Sequence, residues 1–529
     1  LRYYQVPLSP ERIAAQKNFE SAWLAALEKL NFEALPHDAQ IDWLLFRNHL
    51  RWTQSRLNDE QRRIEETRSV LPFLPKALAL LDARRRLEPM KAQQAAATLH
   101  QIDSEIAQLA KTIQTDPGFF KVKRTVAFRA LNQLNQLKSE LKQWHAFYTG
   151  YDPLFTWWTT DPQKKLDANL DKYAKAVREK LVGLRPDDKD TIIGDPIGRE
   201  PLLRDLQFEM LAYTPEELIE IANREFAWCE RELLKASREM GFGDDWRKAQ
   251  EKVKNLYVPP GEQTELIRQQ VLEAIDFVTK RDLVTVPPYA AQTWRMAMMS
   301  PERQRINPFF LGGETIIVSF PTDTMTHEEK LMSMRGNNIH FARAVTHHEV
   351  IPGHYLQQYS MARHRPYRRL FNTPFWIEGW ALHWEYLLWD LGFARSPEDR
   401  IGMLFWRMHR CARIIFSLSF HLEKMTAQEC VDFLVNRVGF ERENAAGEVR
   451  RSFESGLYPP LYQAAYMLGA LQINALHADL VGAGKMTNRA FHDAILQENV
   501  MPIEMVRAAL TKAKLTRDFS PAWRFYRLN

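Results

Sequence analysis

The chain has 529 residues, of which 45% are hydrophobic and 26% charged, as in ordinary globular proteins. Lys and Arg number 71 against 66 Asp and Glu, so the net charge of +5 is small for this length and argues against a nucleic-acid partner. The three cysteines are widely separated, which argues against a disulfide framework and a cysteine-based zinc site: Cys229, Cys411 and Cys430. No apolar stretch approaches the roughly 20 residues that cross a bilayer, so no transmembrane segment is predicted.

The chain begins with Leu1 rather than Met, from which we expect that a preceding segment has been removed. Two locations stay open. One is export, as a periplasmic protein or a lipoprotein whose leader has been removed, and the other is the cytoplasm. The oligomeric state is likewise left open.

Helical patterns dominate the N-terminal third of the chain. Apolar residues recur at three- and four-residue steps through the first 50 residues. Residues 71–147 are rich in Ala, Leu, Gln and Lys, which predicts long antiparallel helices interrupted only near Asp116-Pro117-Gly118. We interpret residues 1–185 as an N-terminal helical region that forms a wall or lid of a cleft.

Turn signals rich in Gly and Pro over residues 183–201 predict a boundary, after which residues 186–529 form a catalytic region continuous with the first. Thr214 is a predicted N-cap, followed by Pro215 at the first helical position of a helix that runs to about Met240. Strands are predicted only between residues 283 and 320, chiefly over 315–320, and helices return from 326 to 515. The predicted fold class is therefore mainly α, with a small β-element.

The most informative motif joins His348 and Glu349 to His354 through a Pro352-Gly353 break. Neutral imidazoles are zinc ligands, and an adjacent carboxylate can take a proton from an attacking water. Residues six apart on a straight α-helix are offset by roughly 240° and do not share a face. Because Pro352 removes a backbone donor and Gly353 is permissive, we predict a bulged helix that returns His354 to the metal face.

A third metal ligand is expected from the segment that follows. Glu378 lies between apolar residues, where a carboxylate is costly to bury unless it is paired or metal-bound. His383 and Glu385 are competing candidates, and Glu385 could instead orient a ligating histidine from the second shell. His347 is interpreted as a neighbour that packs or hydrogen-bonds. The alternative is a buried polar cluster in a helical core, without a metal.

The motif His-His-Glu-x-x-Pro-Gly-His, followed by Glu378-Gly-Trp-Ala-Leu, resembles the bacterial DUF885 family, which is grouped with the gluzincin metallopeptidases. The likeness continues from about residue 165 onward, through segments near Arg199, Arg410, Arg451 and Tyr466. It implies a large two-lobed helical body with a central cleft, one zinc ion on His348, His354 and Glu378, and Glu349 as general base. Where the family often has Asp, this chain has Ser417, so any role of that Asp is absent.

Further residues follow from the same resemblance. Tyr466 is the first choice for stabilising an oxyanion, with Tyr458 and Tyr462 as alternatives. Three arginines are candidates for binding a substrate carboxylate, although structural ion pairs explain each of them as well: Arg410, Arg413 and Arg451. Residues 313–319 are predicted to offer an edge strand to an extended peptide.

The function expected from these features is zinc-dependent hydrolysis of peptide bonds in short peptides. The reaction would be of the carboxypeptidase, dipeptidyl carboxypeptidase or oligopeptidase type. Two alternatives stay open: a metallohydrolase of non-peptide amides, and a catalytically inactive peptide-binding protein. The intact pair of His348 and Glu349 argues against the inactive protein.

Overall fold

The computed structural model describes residues 5–188, 190–304, 309–454, 456 and 458–528, and it is mainly helical. The chain divides into two compact units. The first comprises Leu1–Leu30 and Leu50–Pro196, and the second comprises Asn31–His49 and Ile197–Asn529. Within the described residues, no helix combines the length and apolar character needed to cross a membrane.

The first unit is built from helices alone within its described residues. Their bounds are α1 Pro10–Glu28, α2 His37–Glu66 (whose residues from Leu50 onward belong to this unit), α3 Leu74–Arg85, α4 Ala92–Thr115, α5 Arg124–Tyr148 and α6 Pro153–Ala176, with a 3-10 turn Pro117–Phe120 and a π-helical turn Val177–Leu181. The helical tract predicted over residues 71–147 is interrupted near Pro117 as expected, but also over 86–91, which the sequence analysis missed.

The core of the first unit lies between α3, α4, α5 and α6. Helix α4 packs into this core through one apolar stripe. Its buried residues recur at three-, four- and seven-residue steps: Ala95, Leu99, Ile102, Ile106 and Ile113. Tyr173 of α6 is buried in this core and donates a hydrogen bond to the carbonyl of Val70 at 2.7 Å. This satisfies its hydroxyl away from water.

The second unit carries the predicted site residues. Its elements are α7 Arg199–Phe208, α8 Pro215–Glu239, α9 Trp246–Lys254, α10 Gln263–Lys280, α11 Pro288–Thr293, β1 Arg295–Met298, α12 Pro301–Gln304, β2 Thr315–Val318, α13 His327–Gly336, α14 Ile339–Glu349, α15 His354–Met361, α16 Pro374–Asp390, α17 Pro397–His421, α18 Ala427–Phe433, α19 Arg442–Phe453, α20 Tyr462–His477, α21 Asn488–Glu498 and α22 Ile503–Thr511. Short 3-10 turns cover Phe32–Ala34 and Pro366–Phe371, and π-helical turns cover Leu434–Val438 and Ala478–Gly482.

Helix α8 begins where the sequence predicts. The Thr214 side chain accepts from the backbone N–H of Glu217, and the Glu217 carboxylate accepts from the N–H of Thr214. This capping box satisfies two backbone donors that the helix itself cannot bond. The helix ends at Glu239, one residue before the predicted Met240.

Strands β1 and β2 form a two-stranded parallel sheet, with Arg295 opposite Thr315 at its start. On the other edge of β2, Ile317 donates to the Leu311 carbonyl at 2.8 Å and accepts from the Leu311 N–H at 3.0 Å. A peptide would need those same groups to extend the sheet there. The edge predicted to receive a substrate is thus occupied at Ile317 by the protein's own backbone.

Helices α16 and α20 approach closely where Gly379 faces Gly469. A Cβ added at Gly379 would lie 2.6 Å from the Gly469 Cα, and a Cβ added at Gly469 would lie 2.1 Å from the carbonyl oxygen of Phe375. Only glycine permits this contact. The crossing brings Glu378, the residue before Gly379, next to the first turns of α20.

Candidate metal centre

The helix that carries His348 ends within the motif and does not bulge. Helix α14 ends at Glu349, and α15 begins at His354, with a cis peptide bond between Ile351 and Pro352 in the turn. The predicted continuous, bulged helix is therefore wrong. Pro352 cannot donate a backbone hydrogen bond, and the chain instead turns and starts a second helix.

The turn folds back tightly on the end of α14. The Gly353 N–H donates to the carbonyl of His347 at 3.0 Å, and a Cβ added at Gly353 would lie 1.8 Å from the carbonyl oxygen of His348. Trp380 of α16 donates its indole N–H to the Pro352 carbonyl at 3.0 Å. Glycine at position 353 is therefore required for the approach, and α16 holds the turn in place.

The three predicted ligands come together in the interior. Glu378 Oε2 lies 3.2 Å from His354 Nε2 and 3.7 Å from His348 Nε2. One candidate ligand atom from each residue lies within 4.8 Å of the others, and this is the single such group of three or more among the described His, Cys, Asp and Glu residues. Ligands about 2.0–2.1 Å from a tetrahedral ion are separated from one another by roughly 3.3 Å, so the two separations from Glu378 Oε2 are close to those around one zinc-like ion.

The polar atoms of this cluster also fit a metal. Glu378 Oε2 is buried and has no hydrogen-bond partner, despite its proximity to His354. Burial opposes the charge on Glu378, but His354 and His348 outweigh it and hold its pKa well below the usual range. Burial lowers the pKa of His348, but the nearby carboxylates of Glu378 and Glu385 raise it more, to about 9. The carboxylates thus favour a positive charge at this place, which a divalent ion would supply in place of a proton.

Glu385 orients His348, the first predicted ligand. Its Oε1 lies 2.7 Å from His348 Nδ1, so the imidazole donates from Nδ1 and presents Nε2 to Glu378. Arg410 lies behind this carboxylate, with Nη2 3.5 Å from the same oxygen. Burial raises the pKa of Glu385, and Arg410 and His348 lower it more, so the carboxylate is charged. Carboxylates of this kind fix the tautomer and direction of metal-binding histidines.

Glu349 is adjacent to the ligands and open on one side. Its side chain is partly exposed and makes no hydrogen bond within the described residues. Burial raises its pKa, against the opposing effect of His348 and His354. A Cβ added at Gly312 would lie 2.2 Å from Glu349 Oε2, so the Gly312 backbone forms the surface against which this carboxylate rests. A raised pKa and a free carboxylate suit a general base.

The three tyrosines occupy different places. The Tyr462 hydroxyl donates to Glu378 Oε1 and therefore holds a predicted ligand. The Tyr458 ring stacks on that of Tyr462 with centroids 4.1 Å apart. The Tyr466 ring lies 6.2 Å from the His348 ring and nearly parallel to it, and its hydroxyl has no hydrogen-bond partner within the described residues. The Tyr458 hydroxyl also lacks a partner among the described residues, but Tyr466 is the tyrosine of these two whose ring lies beside His348.

Two predicted site residues lie outside the cluster. His347 donates from Nδ1 to the carbonyl of Arg343 at 2.9 Å, and burial lowers its pKa to about 4, so it packs as expected. His383 bonds to Asn474 and lies 2.9 Å from His492, Nε2 to Nε2, and burial lowers its pKa to about 3. The structure places His383 in this separate histidine cluster and not beside the predicted ligands, so its prediction as a candidate third ligand is wrong.

Two further contributions were not found from the sequence. Gly312 lies shortly before β2, and nothing in the local sequence pairs it with Glu349. Glu448 of α19 was not singled out at all, yet it is buried between two of the predicted arginines, Arg413 and Arg451. The sequence signal for this contact was the spacing of Glu448 and Arg451, because residues three apart on a helix can form an ion pair.

The model of the DUF885 family, described as "Bacterial protein of unknown function", matches residues 4–510. A solved structure described as "a putative lipoprotein of unknown function" from Shewanella oneidensis is 18% identical, with a TM-score of 0.68 over 96% of this chain and 94% of that one. Another, described as a "putative lipoprotein" from Colwellia psychrerythraea, is 15% identical, with a TM-score of 0.62 over 97% and 92%. These likenesses show a shared fold. A comparison with curated proteins found no match.

Proposed function

The chain belongs to the DUF885 family of bacterial proteins, and from this premise and its metal centre we propose that it is a zinc-dependent hydrolase that cleaves peptide bonds. One observation carries the proposal. Three buried ligand atoms from His348, His354 and Glu378 converge next to Glu349, a carboxylate without a hydrogen-bond partner of its own among the described residues. A core cluster kept only for stability would give the Glu349 carboxylate a hydrogen-bond donor as well.

The metal, when bound, supplies Lewis-acid polarisation of a carbonyl and lowers the pKa of water. Glu349 accepts a proton from the attacking water and returns it to the leaving amine nitrogen. Gly312 keeps the Glu349 carboxylate against the backbone, so the base needs little reorganisation before it acts. Tyr466 offers a hydroxyl to the negative charge that develops on the carbonyl oxygen.

The resemblance to gluzincin peptidases favours a peptide bond over other amides as the substrate. The alternative of an inactive binding protein is less favoured, because the base and all three ligands are present together. We further propose that the protein is exported, since both similar structures are described as putative lipoproteins.

The test is a peptide library incubated with zinc-loaded protein and followed by mass spectrometry, with and without a chelator. We expect cleavage that the chelator abolishes and zinc restores. Glu349→Gln should bind zinc in the same ratio as the wild type and lose roughly 100- to 10,000-fold in turnover. Glu504→Gln, which changes a buried carboxylate paired with Arg507, is the matched control and should retain turnover. Full activity of Glu349→Gln, or chelator-insensitive cleavage, would contradict the proposal.

A further inference from the structure

Two buried arginines beside the metal centre share one carboxylate. Arg413 Nε donates to Glu448 Oε1 at 2.7 Å, and Arg451 pairs with Glu448 Oε2. Gln463 also donates to Glu448, at 2.9 Å. Burial raises the pKa of Glu448, but the two arginines outweigh it and hold the pKa well below the usual range, so the carboxylate is charged. Two cations therefore face one anion.

The surplus positive charge is at Arg413. Only 3% of this residue is exposed, its Nη1 is buried without a hydrogen-bond partner, and its one hydrogen bond among the described residues uses Nε. The nearby His409 cannot balance the charge of Arg413, because an imidazole is either neutral or positive. Burial lowers the pKa of His409 to about 3. A buried guanidinium with unbonded nitrogens is costly unless an anion completes its partners.

This cluster lies directly beside the candidate metal centre. The Arg413 guanidinium carbon is 4.4 Å from the Tyr466 ring centroid, and the Tyr466 ring lies 6.2 Å from that of His348. On the other side, Arg451 lies 5.3 Å from the Tyr458 ring, which stacks on Tyr462. An extended peptide advances roughly 3.3–3.6 Å per residue. The distance from the arginines to the candidate metal centre therefore corresponds to one or a few residues of a bound peptide.

Arg410 differs from Arg413 in the carboxylate that its guanidinium faces. Its guanidinium lies beside Glu385, which in turn holds His348. Arg410 Nε is also buried without a hydrogen-bond partner, but the carboxylate it faces is shared with His348 and with no second arginine among the described residues, so Arg410 acts as a positioning residue. Arg413 instead shares its one carboxylate with Arg451.

We propose that Arg413, with Arg451 beside it, binds the free carboxylate at the C terminus of the peptide substrate. The inference rests on the proposed function and narrows it to an enzyme that cleaves near C-terminal ends. A guanidinium binds a carboxylate through two parallel hydrogen bonds, which matches the free nitrogens of Arg413. The negative charge of the substrate would complete the partners of Arg413.

The experiment compares peptides of identical sequence that end in a free acid or in an amide, using zinc-loaded protein. We expect the wild type to favour the acid in kcat/KM by roughly tenfold or more. Arg413→Gln should bring this ratio close to one mainly by slowing cleavage of the acid. That variant leaves Glu448 paired with Arg451, so the buried charges stay balanced.

Arg407→Gln is the matched control. Arg407 lies on the same helix, is 3.9 Å from the Tyr386 ring and pairs with Glu225 at 2.9 Å, away from the ligands. It should retain the wild-type preference for the acid. Equal cleavage of acid and amide by the wild type, or an unchanged preference in Arg413→Gln, would overturn the inference while leaving the peptidase proposal intact.

If the wild type cleaves neither peptide, the proposed function fails, and binding then decides the role of the arginines. Titration calorimetry with zinc-loaded Glu349→Gln compares the dissociation constants of the two peptides. Tighter binding of the acid, lost in the double variant that adds Arg413→Gln, supports a carboxylate site. Equal dissociation constants overturn it.

Discussion

Glu385 lies 2.7 Å from Nδ1 of His348 and thereby decides which nitrogen of that imidazole faces Glu378. The two residues are 37 positions apart, on α14 and α16, and both are buried. The carboxylate also lies 3.5 Å from Arg410, which keeps it charged. The orientation of the first ligand is thus set by a chain of contacts across three helices.

Replacing Glu385 should weaken metal binding. Glu385→Gln removes the negative charge that favours the Nδ1–H tautomer of His348, and we expect the zinc dissociation constant to rise roughly 10- to 100-fold. Competition with a chromophoric chelator measures it. Glu504→Gln, in a buried pair with Arg507, should bind zinc as the wild type does. An unchanged dissociation constant for Glu385→Gln would show that this carboxylate does not orient a ligand.

Variants of Tyr462 and Tyr466 should distinguish an effect on zinc binding from an effect on kcat. Tyr462→Phe removes the hydrogen bond to Glu378 Oε1, so we expect weaker zinc binding and activity that excess zinc restores. Tyr466→Phe should leave zinc binding unchanged and lower kcat by roughly 100- to 1000-fold, as expected for loss of one oxyanion donor. The reverse pattern would exchange the roles assigned to these residues.

Glycine at position 312 should be necessary for the general base. In Gly312→Ala, the new methyl group would overlap Glu349 Oε2 and displace the carboxylate, and a shift of about 1 Å can cost about 100-fold in rate. Zinc content should stay the same. Gly482→Ala is the matched control, because the nearest atom to its added Cβ is 4.0 Å away. Wild-type kcat in Gly312→Ala would mean that Glu349 does not depend on this contact.

Stability should fall as the pH rises from about 4.5 to about 8 because of Glu209. Burial raises the pKa of Glu209 from 4.5 to about 8, although its bond from Thr373 opposes the rise. Between these values the folded state holds a proton that the unfolded state has lost, so stability declines with rising pH by up to ~1.4 kcal/mol per unit until Glu209 ionises. Glu209→Gln should therefore melt at a higher temperature than the wild type at pH 8.5, with no difference near pH 4. The same difference in melting temperature between Glu209→Gln and the wild type at both pH values would contradict this prediction.

Local features of the fold could be predicted from the sequence because neighbouring residues decide them. The start of α8 at Thr214 and Pro215 follows from capping chemistry within four residues. The break at Pro352 was expected for the same reason, since proline cannot continue backbone bonding. The form of the break could not be predicted in this way. Whether the chain bulges, or ends one helix and begins another, depends on contacts from outside the motif, such as the hydrogen bond from Trp380 of α16 to the turn.

The sequence by itself determined the chemistry available to this protein: two histidines and two glutamates whose spacing and apolar surroundings indicate a hydrolytic metal site. Only the tertiary structure decided which side chains complete it. His383 and Glu385 are two residues apart on α16, so they lie on different sides of the helix, and one joins a histidine cluster while the other holds His348. Gly312 reaches Glu349 and Arg413 reaches Tyr466 through packing between distant segments. Such contacts depend on how helices cross, which no local pattern specifies.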